Sequence, residues 1–269
     1  MILNVLNLGL VPYETALQLQ RTLMELRKAS RVENTLLLLE HPPVITLGRN
    51  AQVSNVLASP ESLTQRGVEL FDIDRGGDVT FHGPGQLVAY PIFDLRSFEP
   101  KLGAVEFVRR LEEVLIRTCG DFGIATQRIK GLTGVWTYAL PSKPEAKIAA
   151  LGVHISRGVT THGFALNVGT DLDFFSLIVP CGLTNKPVTS MERELQKRLT
   201  LEEVATAVSR NFGRVFHSQM LWLESLDDLL AQATVVPKPE PAASPANQDT
   251  PARPPKQLRD LHGDGGELA

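Results

Sequence analysis

The chain has little of several features that define other classes of protein. It carries two cysteines in 269 residues, too few for the disulfide framework of a small secreted domain. We therefore expect two free thiols in a reducing cytoplasm. No apolar run approaches the roughly 20 residues that span a bilayer, and the first residues lack the basic region and small-residue cleavage site of a signal peptide. These absences predict a cytoplasmic protein that has no membrane partner.

Charge and metal-ligand patterns are also sparse. The net charge is −3, without a basic block, so nucleic acid is not expected as a partner. No pair of His or Cys residues has the spacing of metal ligands, so we predict no metal. The stretch from Arg75 to Gln86 is glycine-rich but lacks the Gly-Lys-Ser/Thr of a phosphate-binding loop, and no helix follows it as in a dinucleotide fingerprint. No cofactor is therefore predicted.

The order of apolar patterns predicts an α+β fold with a mixed, largely antiparallel sheet and flanking helices. Helical spacing indicates helices over 12–28 and 102–119, the second ended by Gly120 as its C′ residue. Thr200 and Glu203 form a capping box that begins a third helix, and 224–233 is the last. Strands are expected over 2–8, 34–39, 44–47, 70–74 and 87–95.

The domain boundary follows from composition. Residues 1–233 carry the apolar patterns, and 237–255 contains seven prolines in nineteen residues with almost nothing to bury. We therefore predict one folded domain over 1–233 and a Pro-rich disordered tail over 234–269.

The stretch from Lys147 to Cys181 holds a candidate pair for nucleophilic chemistry. Two apolar runs flank a turn at Arg157-Gly158 and predict a hairpin that Lys147 opens. Cys181 follows Pro180, so it is expected on a bend rather than inside a helix or central strand. A nearby cation lowers the pKa of a thiol, and the thiolate is the reactive form. The alternative is an inert loop cysteine and a surface lysine.

The glycine-rich stretch predicts either a tight connection between strands or a ligand clamp. Glycine permits positive φ and lets the backbone approach a ligand closely. In a clamp, Arg75, His82 and Gln86 would supply polar contacts. For His82 and His162 a structural role is favoured over proton transfer, and His41 is expected to close the turn at 40–43.

Four segments together resemble the octanoyltransferases, the lipoate–protein ligase B family. They are LLLLEHPPVITLGR at 36–49, RGGDVTFHGPGQ at 75–86, KIAALGV at 147–153 with HGFALNV at 162–168, and PCG at 180–182. The resemblance covers residues 1–215. It implies a fold similar to the catalytic domain of biotin and lipoate ligases. It also implies octanoyl transfer from acyl carrier protein to a lysine on lipoyl domains of 2-oxoacid dehydrogenase subunits and the glycine-cleavage H protein.

The resemblance also implies roles for particular residues. Cys181 would be the nucleophile that forms an acyl thioester, and Lys147 would lower the pKa of its thiol. Backbone N–H groups near Cys181 or at Gly76 and Gly77 could stabilise the oxyanion. The residues implied to line the acyl pocket are Arg75, Gly76, Gly77, Asp78, Val79, Thr80, Phe81, His82, Ala150, Leu151, Gly152, Gly163, Phe164 and Ala165.

Three other functions remain open from sequence. An ATP-dependent lipoate or biotin ligase on the same fold would activate a free acid and need no nucleophilic cysteine. A non-catalytic acyl-carrier-binding protein would have an inert Cys181. A cysteine hydrolase would release free octanoate without an acceptor.

Overall fold

A large mixed sheet forms the centre of the fold. The computed structural model describes residues 1–141, 143–180 and 186–234, without the side chains of 232–234, and these residues belong to one compact unit. In this part of the chain the large sheet has the strand order β11-β1-β2-β6-β10-β9-β8-β7. Its strands are β1 (Ile2–Leu10), β2 (Thr35–Glu40), β6 (Gln86–Ile92), β7 (Thr126–Ile129), β8 (Leu132–Thr137), β9 (Lys147–Ser156), β10 (Val159–Asn167) and β11 (Gln219–Trp222).

The pairing of these strands confirms the predicted fold class. β1 runs parallel to both β2 and β11, and every other neighbouring pair of the large sheet is antiparallel. The predicted hairpin is β9–β10, and its turn residues Arg157 and Gly158 have φ of 50° and 86°. Positive φ at both central residues is the requirement of the tight hairpin turn that matches strand twist.

A second sheet of three strands corrects the expectation of a continuous glycine-rich loop. Its order is β4-β3-β5, and β5 (Val79–His82) lies inside the stretch that had been expected to be irregular. Val79 and Phe81 alternate into an apolar cluster, whereas Thr80 and His82 face the other way. Glycines flank this short run, so its alternating pattern was not recognised as a strand in the sequence. The other two strands are β3 (Val44–Leu47) and β4 (Glu69–Asp72).

Helices cover both faces of the large sheet. Apolar residues of α3 (Ala104–Asp121) and α5 (Leu201–Phe216) pack with Leu36, Leu87 and Phe164 on one face. Helices α1 (Tyr13–Lys28) and α6 (Leu226–Thr234) pack on the other face. The capping box of Thr200 and Glu203 is confirmed at the start of α5. The helices are α1 (Tyr13–Lys28), α2 (Pro60–Gln65), α3 (Ala104–Asp121), α4 (Met191–Leu195), α5 (Leu201–Phe216) and α6 (Leu226–Thr234), with short 3₁₀ helices at Val53–Asn55, Leu95–Ser97 and Leu172–Leu177.

The end of α3 differs from the prediction. The helix continues through Gly120 to Asp121, and Gly123 adopts the left-handed conformation with φ of 84°. Gly120 is exposed on the helix surface, where a glycine is tolerated. A glycine after an amphipathic run is therefore not always the residue that ends the helix.

Two expectations concern the rest of the chain. Among the described residues, no helix combines the length and the apolar character needed to cross a bilayer. The predicted Pro-rich tail begins at Thr234, which is instead the last residue of α6, and residues 235–269 lie outside the described residues, so their disorder stays a prediction.

Candidate active site

A pocket opens between the β9–β10 hairpin and the glycine-rich segment. We call it the main pocket, and it encloses about 470 Å³ of empty space including its mouth. Backbone and small side chains of β9 and β10 form one wall, and Thr80 and His82 of β5 form another. The lining residues are Tyr13, Arg75, Gly77, Asp78, Thr80, His82, Tyr90, Ala150, Leu151, Gly152, His162, Gly163, Phe164 and Ala165.

Eleven of the fourteen residues expected around an acyl chain line the main pocket. Gly76, Val79 and Phe81 do not. Val79 and Phe81 pack into the apolar cluster beneath the small sheet. The N–H of Gly76 donates to the carbonyl of Val153 at 3.0 Å, so it is already used and does not serve as the expected oxyanion donor.

Arg75 fixes the glycine-rich segment against the small sheet. Its guanidinium is buried and donates to the hydroxyl and carbonyl oxygens of Thr46, each at 2.8 Å, and to the carbonyl of Gly76. The chain must pass close to β9 here, because a Cβ added at Gly152 would lie 2.6 Å from the carbonyl oxygen of Gly76. Gly152 therefore permits a backbone approach that any other residue would obstruct.

His162 is held in an uncommon conformation at the wall of the main pocket. Its φ is 55°, which is uncommon for a residue other than glycine and for a residue within a strand. Gln20 accepts from its backbone N–H at 2.7 Å, and Asp74 lies 2.9 Å from its Nε2. The Nε2–H therefore donates to the carboxylate, and this bond holds the pKa of Asp74 at about 2. Strained residues of this kind are common at functional sites.

His41 was expected to close the turn at 40–43, but the hydrogen bonds of its ring go to Val11 and Tyr90. Its Nδ1 donates to the carbonyl of Val11 at 2.7 Å, so its Nε2 accepts the hydroxyl proton of Tyr90, also at 2.7 Å. Burial lowers the pKa of His41 to about 4, which keeps the ring neutral. The hydroxyl hydrogen of Tyr90 is thereby turned away from the main pocket.

A chain of hydrogen bonds sets the tautomer of His82. The carbonyl of Thr189 can only accept, so Asn167 donates to it through Nδ2 and accepts from Nε2 of Gln86 at 2.9 Å. The remaining oxygen of Gln86 accepts from Nδ1 of His82 at 2.8 Å. Burial lowers the pKa of His82 to about 3, so its Nε2 carries no proton. Gln86 and the Nδ1 of His82 are thus hydrogen-bonded within the protein, which lowers the cost of placing an apolar group beside them.

Lys147 lines a second, smaller space that adjoins the main pocket. This Lys147 cavity is narrow, with about 290 Å³ of empty space including its opening to solvent, and it shares Thr80 and Ala150 with the main pocket. Pro180, the residue before Cys181 in the sequence, also lines it. The remaining lining residues are Gln86, Asn167, Phe175 and Val188. Cys181 itself lies outside the described residues.

A β-bulge turns Lys147 toward this cavity. Val135 and Trp136 of β8 pair with Ala149 and Lys147 of β9, so Ile148 is an extra residue. Ile148 and Ala149 both pack into the core beneath α3 and α5. Because side chains alternate along a regular strand, Lys147 without the bulge would face that core. The segment after residue 185 also contacts Lys147, whose N–H donates to the carbonyl of Pro187 at 2.8 Å.

Sequence reasoning missed several residues around the two spaces. Asp74 precedes the glycine-rich segment, and its position next to Arg75 was the one available signal. Tyr13, Tyr90 and Trp136 come from separate elements and have no local motif. Only the pairing of α1, β6 and β8 with the hairpin brings them to the site.

The other cysteine is unsuited to the chemistry. Cys119 is a free, fully buried thiol on α3, and burial raises its pKa to about 12. In the part of the chain that the structure describes, no group of three or more His, Cys, Asp or Glu side chains could hold a metal ion.

Comparisons with known proteins show which family the chain belongs to. The family model described as the lipoyl protein ligase A/B catalytic domain matches residues 12–213. An octanoyltransferase of Koribacter versatilis is 64% identical over 97% of this chain and 98% of its own. An octanoyltransferase of Acidobacterium capsulatum is 60% identical over 86% of this chain and 97% of its own.

Solved structures share the fold. The bipartite lipoate protein ligase of Thermoplasma acidophilum superposes with a TM-score of 0.67 at 19% identity, covering 87% of this chain and 91% of that one. A lipoate-protein ligase A bound with ATP superposes with a TM-score of 0.63 at 18% identity, covering 87% of this chain and 93% of that one. The chain belongs to the lipoyl protein ligase A/B catalytic-domain family, and within it to the octanoyltransferases.

Proposed function

We propose that this protein transfers an octanoyl group from octanoyl-acyl carrier protein to a specific lysine of lipoyl domains, through a thioester on Cys181. The observation that carries the proposal is the shared cavity of Lys147 and Pro180, which adjoins the main pocket at Thr80 and Ala150. Cys181, the next residue after Pro180, would present its sulfur to Lys147, and the acyl chain would extend into the main pocket. The acceptors would be lipoyl domains of 2-oxoacid dehydrogenase subunits and the glycine-cleavage H protein.

The first half-reaction would be an exchange between thioesters. The Cys181 thiolate, stabilised by the Lys147 ammonium, attacks the carbonyl carbon of the donor, and a new C–S bond forms. The bond to the carrier's sulfur breaks, and the departing thiolate takes the proton of Lys147. Because one thioester replaces another, the step has little thermodynamic cost.

The second half-reaction would return that proton. The acceptor amine attacks the acyl carbon of the Cys181 thioester, and Lys147, now a neutral amine, takes a proton from the attacking nitrogen. An amide forms, the C–S bond breaks, and the thiolate–ammonium pair is restored. The two protein substrates therefore use one site in turn.

The main pocket would select the acyl chain. Burying six methylenes contributes about 5 kcal/mol at roughly 0.8 kcal/mol each, which is enough to discriminate chain length. The small residues Ala150, Gly152 and Ala165 leave room for the chain between β9–β10 and the glycine-rich segment.

Intact-mass measurement tests the proposal. Incubation with octanoyl-acyl carrier protein, without ATP, should add one octanoyl mass, and a lipoyl domain should then remove it. Cys181→Ser should abolish the adduct, whereas the matched control Cys119→Ser should keep it. A requirement for ATP and free octanoate would instead support a ligase. Release of octanoate without an acceptor would support a hydrolase, and the absence of any adduct would support a carrier-binding protein.

A further inference from the structure

Lys147 lies against the face of a buried tryptophan. Its Nζ is 4.8 Å from the ring centroid of Trp136, which is fully buried, and Lys147 itself is 6% exposed. Trp136 pairs with Lys147 across β8 and β9, beside the bulge at Ile148. The contact therefore comes from paired backbone strands rather than from a flexible side chain reaching across a surface.

The indole of Trp136 carries a buried N–H group, which costs folding free energy that a phenylalanine ring would not. In the part of the chain that the structure describes, the buried Nε1 of Trp136 has no hydrogen-bond partner. A buried donor left in this state is unfavourable, and a phenylalanine would fill much of the same space without one. What the indole adds is the most electron-rich face among the aromatic side chains, and such a face attracts a cation.

We propose that Trp136 is a positioning residue, which holds the ammonium of Lys147 in place for the pair with Cys181 that the proposed function requires. This inference rests on the proposed roles of Lys147 and Cys181. A ring face attracts an ammonium and has no such preference for a neutral amine. Trp136 therefore favours the thiolate–ammonium pair that starts the first half-reaction. After acylation it opposes loss of the Lys147 proton, and so it slows the second half-reaction.

The charged groups on the described elements around Lys147 have partners of their own. On α3, Glu112 accepts from the N–H of Gly134 at 3.2 Å and is already paired with Arg109 and Arg128. His82 reaches the cavity only through Gln86 and is neutral. Near the start of β9, Glu145 is paired with Lys186. The indole is thus a group in direct contact with the Lys147 ammonium.

Alkylation of the native protein by iodoacetamide across a range of pH tests the inference. In Trp136→Leu the pH at half-maximal alkylation of Cys181 should rise, and the rate at pH 7 should fall by between about twofold and thirtyfold. Trp136→Phe should lie between this variant and the wild type. Phe107→Leu is the matched control, because it shortens another fully buried aromatic ring away from Lys147. It should lower the melting temperature without moving the alkylation profile.

Two further measurements separate positioning from general destabilisation. Adding Trp136→Leu to Lys147→Ala should leave the alkylation profile of Lys147→Ala unchanged, because the ring acts only through the ammonium. Single-turnover rates of Trp136→Leu should show slower acylation by octanoyl-acyl carrier protein, with transfer to the lipoyl domain unchanged or faster. An unchanged profile in Trp136→Leu, with a shifted one in Lys147→Ala, would overturn the inference alone. No shift in Lys147→Ala would overturn the proposed pair itself.

Discussion

Gly134 packs directly against the side chain of Lys147. A Cβ added at Gly134 would lie 3.2 Å from Cε of Lys147 and 2.9 Å from the carbonyl oxygen of Ala149. Gly134 also has φ of 131°, a conformation that other residues rarely adopt. The absence of a side chain on β8 therefore determines where the lysine of β9 can lie.

Gly134→Ala should impair catalysis more than folding. The added methyl group displaces Lys147, and we expect at least a tenfold loss of octanoyl transfer with destabilisation of about 1–3 kcal/mol. Gly131→Ala is the matched control on the same hairpin, since Gly131 also has positive φ but a Cβ there would meet nothing within 4 Å. Equal loss of activity in the two variants, measured at matched folded fraction, would contradict this role for Gly134.

Ala150→Leu should change the acyl-chain preference. Ala150 lines both the main pocket and the Lys147 cavity, so a larger side chain narrows their junction. Each methylene that no longer fits loses about 0.8 kcal/mol of binding free energy, which lowers the preference for the longer donor roughly fourfold. Transfer from octanoyl donors should therefore fall while transfer from butanoyl donors is retained. Competition assays with mixed donors measure the ratio, and a ratio equal to that of the wild type would exclude Ala150 from the path of the chain.

Stability should fall between pH 6.5 and pH 4 because of two buried histidines. Burial lowers the pKa of His41 to about 4 and that of His82 to about 3, so the unfolded chain binds protons in this range and the native protein does not. Their contribution is fully present above pH 6.5 and is lost as pH falls, by up to about 1.4 kcal/mol per pH unit for each ring. His41→Gln should flatten the decline measured by urea unfolding. A slope identical to the wild type would refute the assignment for His41.

The two cysteines should differ sharply in reactivity. Because burial raises the pKa of Cys119 to about 12, native alkylation at pH 8 should modify one thiol, and denaturation should release a second. Cys119→Ala should retain octanoyl transfer. Peptide mapping identifies the modified residue, and rapid modification of Cys119 in the native protein would show that its environment on α3 has been misjudged.

The fold class followed from local pattern, with two exceptions that show the limits of pattern. β5 was missed because Gly76, Gly77 and Gly83 flank a run of four residues, and its strand character depends on pairing with β3. The sequence places the end of α3 at Gly120, whereas the nearby glycine with positive φ is Gly123. The strand was missed because its pairing with β3 is a tertiary contact, and the helix end was misplaced because two nearby glycines both suit it.

The site residues also divide into those that a local motif reveals and those whose role depends on a tertiary contact. The residue types for nucleophilic chemistry and the small residues that line the main pocket were evident as motifs, since each motif is continuous in the chain. The roles of His41, Asp74 and Trp136 were not, because their partners are Tyr90, His162 and Lys147 on other elements.

By itself, the sequence determined most of the helices and strands, the hairpin turn at Arg157-Gly158 and the candidate lysine and cysteine. These depend on periodicity, on backbone conformations that particular residues permit, and on side-chain chemistry. Only the tertiary structure decided that Lys147 faces the cavity rather than the core. Alternation along a strand assigns each side chain to a face, and one extra residue at Ile148 reverses that assignment. Register between β8 and β9 is a property of the paired strands, so the sequence of neither strand alone specifies it.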